Sequence, residues 1–349
     1  MQGLRKENHF VPQLYLKQWA IGGKIQTYRL LVPNAIHPKW KPYWVSSIAS
    51  HQHLYTRVID GMESDEIERW LQQEFENPAD RPLGRAVSGE RLTPDDWKAL
   101  VRFAFAQDVR TPARLKAFLV DQEKSLPALM QETLEEAVRY LKSASATQRE
   151  MQAPPDAANQ FPLKVTVHRA GDGDGAIGTE MVVGRALWLW SLRHTLTTTI
   201  RSVPMTGWTI LHAPKGIHWP TSDNPLVRLN FTDASRYDFG GGWGVRNGDI
   251  VLPLSPKHLL FTCIGNRPTP RGTTLDERTA RLLQKIIVEH ADRHVFSREP
   301  FDVESIRRRV VSLEAYKREH DDWRRWGAEQ RAAEFGLHGK SDGSAVNAR

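Results

Sequence analysis

TPDDWKALVRFAFAQDVRTP, residues 93–112, is the stretch on which the fold turns. Thr93 offers a capping hydroxyl, Pro94 suits a first helical turn, and Asp95 and Asp96 complement the helix dipole. Trp97, Leu100, Val101, Ala104 and Phe105 then recur at the spacing of one helical face. Pro112 disfavours helical geometry in the residue before it, so the helix is predicted to end or bend near Thr111. A long helix with its own start and stop signals therefore sits near the middle of the chain.

Upstream, Ile67, Trp70, Leu71 and Phe75 share one face of another helix, with Ser64 as its expected N-cap. Before that the apolar runs are short and strand-like, over residues 25–31, 44–48 and 54–59, separated by Gly22, Gly23, Pro33, Asn34 and Pro42. A short helix is predicted over residues 12–19. Downstream a further helix runs to about residue 141 and a polar linker covers residues 143–155. Strands follow at 164–168, 208–211, 226–230, 250–254 and 259–264, with helices over 181–200 and 275–290. The pattern predicts an α+β fold, a central helical region with mostly antiparallel strands contributed by the N- and C-terminal parts; separate α/β domains are the alternative. Residues 1–298 read as one domain, made of a strand-rich part (1–60), a helical part (61–150) and a mixed part (160–298). A charged helical extension (299–335) and a disordered tail (336–349) complete the expected organisation.

The chain has 349 residues, with 48 Lys and Arg against 41 Asp and Glu and a formal charge of +7. That basic tilt raises nucleic acid or a nucleotide as a partner, and the stretch from Arg307 to Arg325 is its obvious location. Interleaved acids at Glu314, Glu319, Asp321 and Asp322 make a solvated helix the default there. The single cysteine, Cys263, excludes an internal disulfide and any multi-cysteine metal site. The first residues carry Arg5, Lys6, Glu7, Asn8 and His9, not an apolar leader, and Arg185 interrupts an apolar segment. Neither a signal peptide nor a membrane span is predicted, and a cytoplasmic location is expected.

Several short motifs fail on context. Gly173, Gly175 and Gly178 spell a dinucleotide-type glycine loop, but no acidic ribose ligand follows the next strand. Ile177 stands where a calcium loop begun by Asp172 and Asp174 needs glycine. Gly339, Ser341 and Gly343 match a nucleophile elbow without the strand and helix that one requires. His290 and His294 are four apart on an expected helix, yet no third metal ligand lies near them. His51 and His53 are spaced to share one side of a strand.

Three segments survive. Asn8-His9-Phe10-Val11-Pro12-Gln13-Leu14-Tyr15-Leu16 opens the chain, Gln107-Asp108-Val109-Arg110-Thr111-Pro112 lies mid-chain, and Ser222-Asp223-Asn224-Pro225 lies late, followed by Pro253-Leu254-Ser255-Pro256. In this order they resemble the bacterial domain-of-unknown-function family 4238, which opens on His-x-x-Pro-x-x-Tyr-Leu. The resemblance covers residues 7–298, with Tyr55-Thr56 and the acidic helix residue Glu76 as further matches. It implies no reaction.

The residue types still suggest chemistry. Should the segments converge, His9 and Asp223 are suited to bind a divalent cation such as Mg or Mn or to act as base, with Glu76 as a further catalytic acid. Arg110 would clamp an anionic group, and Gln107 and Asn224 would orient it. The leading expectation is a metal-assisted hydrolase, a phosphoester hydrolase or nuclease acting on nucleic acid or a nucleotide. The alternative is a non-enzymatic protein that uses the same polar pocket for an anionic ligand or a protein partner. The bland reading is that Asp223 and Asn224 make turns, Arg110 satisfies helix-end carbonyls and His9 caps.

Overall fold

The computed structural model describes residues 4–59, 61–144, 163–169, 175–233 and 236–339. The N-terminal part holds β1 (Glu7–His9), α1 (Gln13–Leu16), β2 (Lys24–Arg29), β3 (Leu31–Val32), β4 (Trp40–Trp44), β5 (Ser50–Gln52), β6 (Arg57–Ile59) and β7 (Met62–Ser64). The central helices are α2 (Glu66–Leu71), α3 (Asn77–Val87), α4 (Pro94–Val109) and α5 (Pro112–Ala144). A hairpin of β8 (Leu163–Arg169) and β9 (Gly175–Met181) leads to α6 (Arg185–Thr197). Then come β10 (Thr209–His212), β11 (Thr221–Ser222), β12 (Val227–Asp233), β13 (Arg236–Asp238), β14 (Asp249–Ser255) and β15 (His258–Cys263). The chain closes with α7 (Glu277–His290), β16 (His294–Ser297), β17 (Val310–Val311) and α8 (Leu313–Gly339). This is the α+β arrangement expected, with helices in the middle and antiparallel strands from both ends.

A five-stranded antiparallel sheet, ordered β10-β15-β14-β12-β13, forms the centre. Side chains of a strand alternate between its faces, and the sequence uses both. Ile210, Ile250, Leu252 and Leu260 pack with α4 and α6 in the main core. Leu211, Val251 and Leu259 face the opposite way, against Ala280, Leu283, Ile286 and Ile287 of α7. A four-stranded sheet, β11-β16-β2-β4, joins strands from the two ends of the chain. Among the described residues no helix is long and apolar enough to cross a membrane.

The capping box at Thr93 is formed as expected: Asp96 N donates to Thr93 Oγ1 at 3.2 Å, and Thr93 N donates to Asp96 Oδ2 at 2.8 Å. Other local expectations needed correction. Asp65 is the N-cap of α2, although Ser64 Oγ still accepts from Glu66 N at 3.2 Å. The second early strand lies at residues 40–44, not 44–48, with Pro42 inside it, which an edge strand tolerates. The helix expected over 181–200 begins at Arg185, because β9 runs to Met181 and Gly184, the N-cap, takes φ 152. His290 ends α7 and His294 opens β16, so the two do not share a helix. The glycine loop's Gly173, the linker from residue 145 and the residues after 339 lie outside the described residues.

Candidate functional site

Pro112 cannot continue α4, so the chain turns at Arg110 and Thr111 and restarts as α5. The turn drives the Arg110 side chain into the protein, where its exposure is 0%. A buried guanidinium needs its donors met. Arg110 Nη1 donates to Glu76 Oε1 at 2.7 Å, Nη2 to the His9 carbonyl at 2.8 Å, and Nε to the Tyr55 hydroxyl at 3.3 Å. The Tyr55 hydroxyl in turn donates to the Arg110 carbonyl at 2.6 Å. Burial works against the charge, but Tyr55, Glu76 and Glu68 outweigh it and hold the guanidinium pKa above its ordinary value.

Glu76 reaches Arg110 from a π-helical segment, residues 72–76, between α2 and α3. Such a bulge adds a residue to the turn and is common where a side chain has been re-aimed for a purpose. Glu68, on α2, carries an Oε2 that is buried without a partner. Burial lifts its pKa to about 7, with Glu76 adding repulsion and Arg110 opposing it. The His9 ring meets the Ser46 carbonyl at 3.2 Å and the Gln13 amide at 3.4 Å, and burial lowers its pKa.

On the other side of the turn, Thr111 Oγ1 donates to Asn224 Oδ1 at 3.2 Å. Asn224 Nδ2 also lies 3.3 Å from His290 Nε2. Asp223 points the other way, into the stretch between α7 and β16. Its Oδ1 accepts from Asp292 N at 2.8 Å, and its Oδ2 from Arg293 N at 2.7 Å and His294 N at 2.9 Å. His294 Nδ1 stands 3.4 Å from Oδ2. Burial alone would raise the Asp223 pKa, but His294 and these backbone donors lower it.

The model of the family described as "Protein of unknown function (DUF4238)" matches residues 7–300. The chain belongs to this family. Neither the curated proteins nor the solved structures gave a match.

Within the DUF4238 span the three signature segments converge on one turn: His9, Glu76 and Arg110 on one side, Thr111 and Asn224 on the other. The pairing of His9 and Asp223 on a cation is not met. The Asp223 carboxylate is engaged by backbone N–H groups, while the His9 imidazole turns to Ser46 and Gln13. Among the described residues no three His, Cys, Asp or Glu side chains are grouped to hold a metal. Glu76 is committed to Arg110, and each side-chain nitrogen of Arg110 has a protein partner, so Glu76 is not placed as the catalytic acid, nor Arg110 as the anion clamp, that the sequence suggested. Gln107 is fully buried, with neither amide atom bonded to protein. Arg110 therefore holds Glu76 and the His9 carbonyl, while Asp223 is held by the backbone of residues 292–294 and Asn224 by Thr111 and His290.

Next to this network lies open space. A groove of about 1000 Å³ runs between the body and α8, a helix beyond the matched DUF4238 residues. Asp223, His294, Phe10, Pro112 and Ala113 form its floor, and Trp323, Ala328 and Phe335 its roof. Four histidines line it: His51, His53, His294 and His320. Trp323 packs over His51 with ring centroids 4.5 Å apart. Burial lowers the His51 and His53 pKa values, so both rings are neutral at pH 7. The groove's cations have acidic neighbours: Lys116 Nζ is 2.7 Å from Asp292, Arg293 Nε 2.7 Å from Glu319, and Arg331 Nε 2.9 Å from Glu63.

Five arginines of the basic stretch from Arg307 to Arg325 are likewise engaged. Arg307 and Arg309 donate to backbone carbonyls, while Arg318, Arg324 and Arg325 pair with Glu314, Asp321 and Asp322 on their own helix. Sequence reasoning missed Glu68, the groove and α8's part in it. The visible hint was Arg185, a charge inside an apolar segment whose partner the local sequence does not show.

Proposed function

We propose that this DUF4238 protein is a ligand-binding protein whose groove beneath α8 takes an amphipathic molecule with an apolar body and one anionic end. The single observation that carries the reading is the groove itself: about 1000 Å³, walled by Phe10, Trp323 and Phe335, with imidazoles and paired cations at its polar edge. Ligand pockets are commonly apolar cavities of roughly this size with a few convergent polar groups. The signature network beneath it supplies rigidity, because buried polar groups that satisfy one another fix a unique packing. Binding is favoured over metal-assisted hydrolysis of nucleic acid or a nucleotide because Asp223, the expected ligand and base, is held by backbone donors.

The test uses 8-anilinonaphthalene-1-sulfonate, an apolar anion, titrated against the folded chain and an Ala328→Trp variant. Ala328 is an exposed groove residue, so the indole fills space without disturbing the core. Saturable binding by the wild type, weakened about tenfold in the variant at unchanged unfolding temperature, supports the reading. No saturable binding, or binding indifferent to Ala328→Trp, overturns it. Magnesium- or manganese-dependent cleavage of DNA, RNA or a nucleotide, abolished by Asp223→Asn, would restore the hydrolase.

A further inference from the structure

The signature turn has a second face. Asp108 lies two residues before Arg110, yet its side chain points away from the Arg110 network into another cavity, of about 370 Å³, bounded by α4, α5 and α6. Asp108 Oδ2 accepts from Trp243 Nε1 at 2.8 Å. Its Oδ1 lies 3.4 Å from Arg228 Nε and 3.7 Å from Arg114 Nε. One carboxylate thus serves two guanidinium groups and an indole, and the cluster keeps a net positive charge. Asp108 engages both arginines at Nε. Among the described residues the terminal nitrogens of both forks have no further protein partner.

The walls are aromatic. Phe105 and Trp243 meet edge to face with centroids 4.7 Å apart, and Trp208, outside the lining, backs Trp243 at 5.7 Å. Trp188 and Phe118 close the cavity further along. Trp243 is placed by a glycine-rich loop lying tight against β12. A Cβ on Gly241 would meet the Leu229 carbonyl oxygen at 2.5 Å, so only glycine allows that approach. Hydroxyl-bearing residues of and after α6, including Ser191, Thr195 and Thr199, line the remaining side. Burial lowers the Arg228 pKa, with Asp108 opposing, which marks a cation set in a low-dielectric wall.

We propose that this cavity is a second binding site, which takes a small planar aromatic carboxylate, its ring among Phe105, Trp188 and Trp243 and its carboxylate on the forks of Arg228 and Arg114. The volume sits at the small end of the range for ligand pockets, room for one bicyclic ring and a short acid arm. Aromatic walls favour a flat apolar body, and a guanidinium fork matches the planar geometry of a carboxylate. Asp108 repels any anion that comes too close to it, so the carboxylate must reach the outer nitrogens of the two arginines. The site is separate from the groove under α8, and neither cavity's occupancy depends on the other in this proposal.

The experiment is calorimetric titration of the full chain with indole-3-acetate, with indole as neutral analogue and inorganic phosphate as an anion without a ring. Saturable binding of indole-3-acetate is expected, at least tenfold tighter than either control. Arg228→Gln should weaken it about tenfold or more, and Thr195→Leu, which narrows the cavity without touching the ionic cluster, should weaken it independently. Ala328→Trp, in the other groove, should leave it unchanged. Absence of saturable binding, equal affinity for indole or for phosphate, or indifference to Thr195→Leu would each overturn the proposal. Should Arg228→Gln unfold, the Thr195→Leu result and the indole control still decide it.

Discussion

Arg185 and Glu334, 149 residues apart in sequence, form a buried fork-to-fork ion pair, with Nε donating to Oε1 at 2.9 Å and Nη2 to Oε2 at 2.8 Å. Each side chain is 3% exposed. The remaining nitrogen, Nη1, donates to the His53 carbonyl at 3.0 Å, and Gln330 Oε1 accepts from Arg185 N at 2.9 Å. The pair thus ties the far end of α8 to the start of α6. The near end is held by β17, which pairs parallel with β3, and by Arg293 on Glu319. The groove lies under the span between these two anchors.

Breaking a buried pair strands a charge, whereas replacing both partners removes the desolvation cost along with the attraction. Glu334→Ala should therefore cost about 3–5 kcal/mol in denaturant unfolding, and Arg185→Met with Glu334→Leu much less. Equal losses in the single and double variants would show that the pair is not what holds α8. The single variant should also lose the anilinonaphthalene sulfonate binding that depends on the groove's roof.

Tyr55 offers a narrower cut into the signature network. Tyr55→Phe removes one hydroxyl that both accepts from Arg110 Nε and donates to its carbonyl, leaving Glu76 and His9 in place. A buried donor left unmet costs about 1–3 kcal/mol, so unfolding should shift by that amount with the fold retained. Arg110→Lys should cost more, because an ammonium cannot reach Glu76, Tyr55 and His9 with one planar fork. A Lys variant as stable as the wild type would contradict the geometry of this network.

Asp223 carries the choice between binding protein and hydrolase. Its lowered pKa stabilises the fold above the ordinary carboxylate value, and that contribution is lost as pH falls through the depressed native value. Acid unfolding of the wild type should steepen below about pH 4, and Asp223→Asn should flatten that limb while costing about 2–3 kcal/mol at pH 7. A ligand that binds the native state raises its unfolding temperature. Magnesium and manganese should leave the wild type where a chelator leaves it; a shift that vanishes in Asp223→Asn would reinstate the metal site.

What the sequence made legible follows the range of the forces involved. The capping box at Thr93 and Asp96, the stop before Pro112 and the short apolar run of β14 are local rules, and the residues state them outright. Pro42 misled because it reads as a breaker unless the strand is known to be an edge, which only sheet order reveals. The convergence of His9, Arg110 and Asn224 was legible as an ordered set of polar signatures, but their chemistry was not. Whether Asp223 faces a ligand or three backbone N–H groups depends on the turn between α7 and β16, some seventy residues away. Glu68 and the partner of Arg185 gave no local signal, since an acid on a helix looks alike whether it meets water or protein.

Glu68 gives the sharpest pH prediction. Its pKa stands at about 7 in the folded protein against an ordinary 4.5, so the native state holds a proton that the unfolded chain releases first. Below about pH 4.5 both states are protonated and the residue carries no penalty; between there and about pH 7 the penalty grows, and above it is complete. Stability should therefore fall across that window by on the order of 3 kcal/mol from this residue. Glu68→Gln keeps the shape and removes the titration. The variant should match the wild type at low pH, exceed it at pH 8, and lose the slope between. A variant less stable than the wild type at pH 8 would mean that Glu68 is ionised in the native protein and held by Arg110 as firmly as Glu76 is.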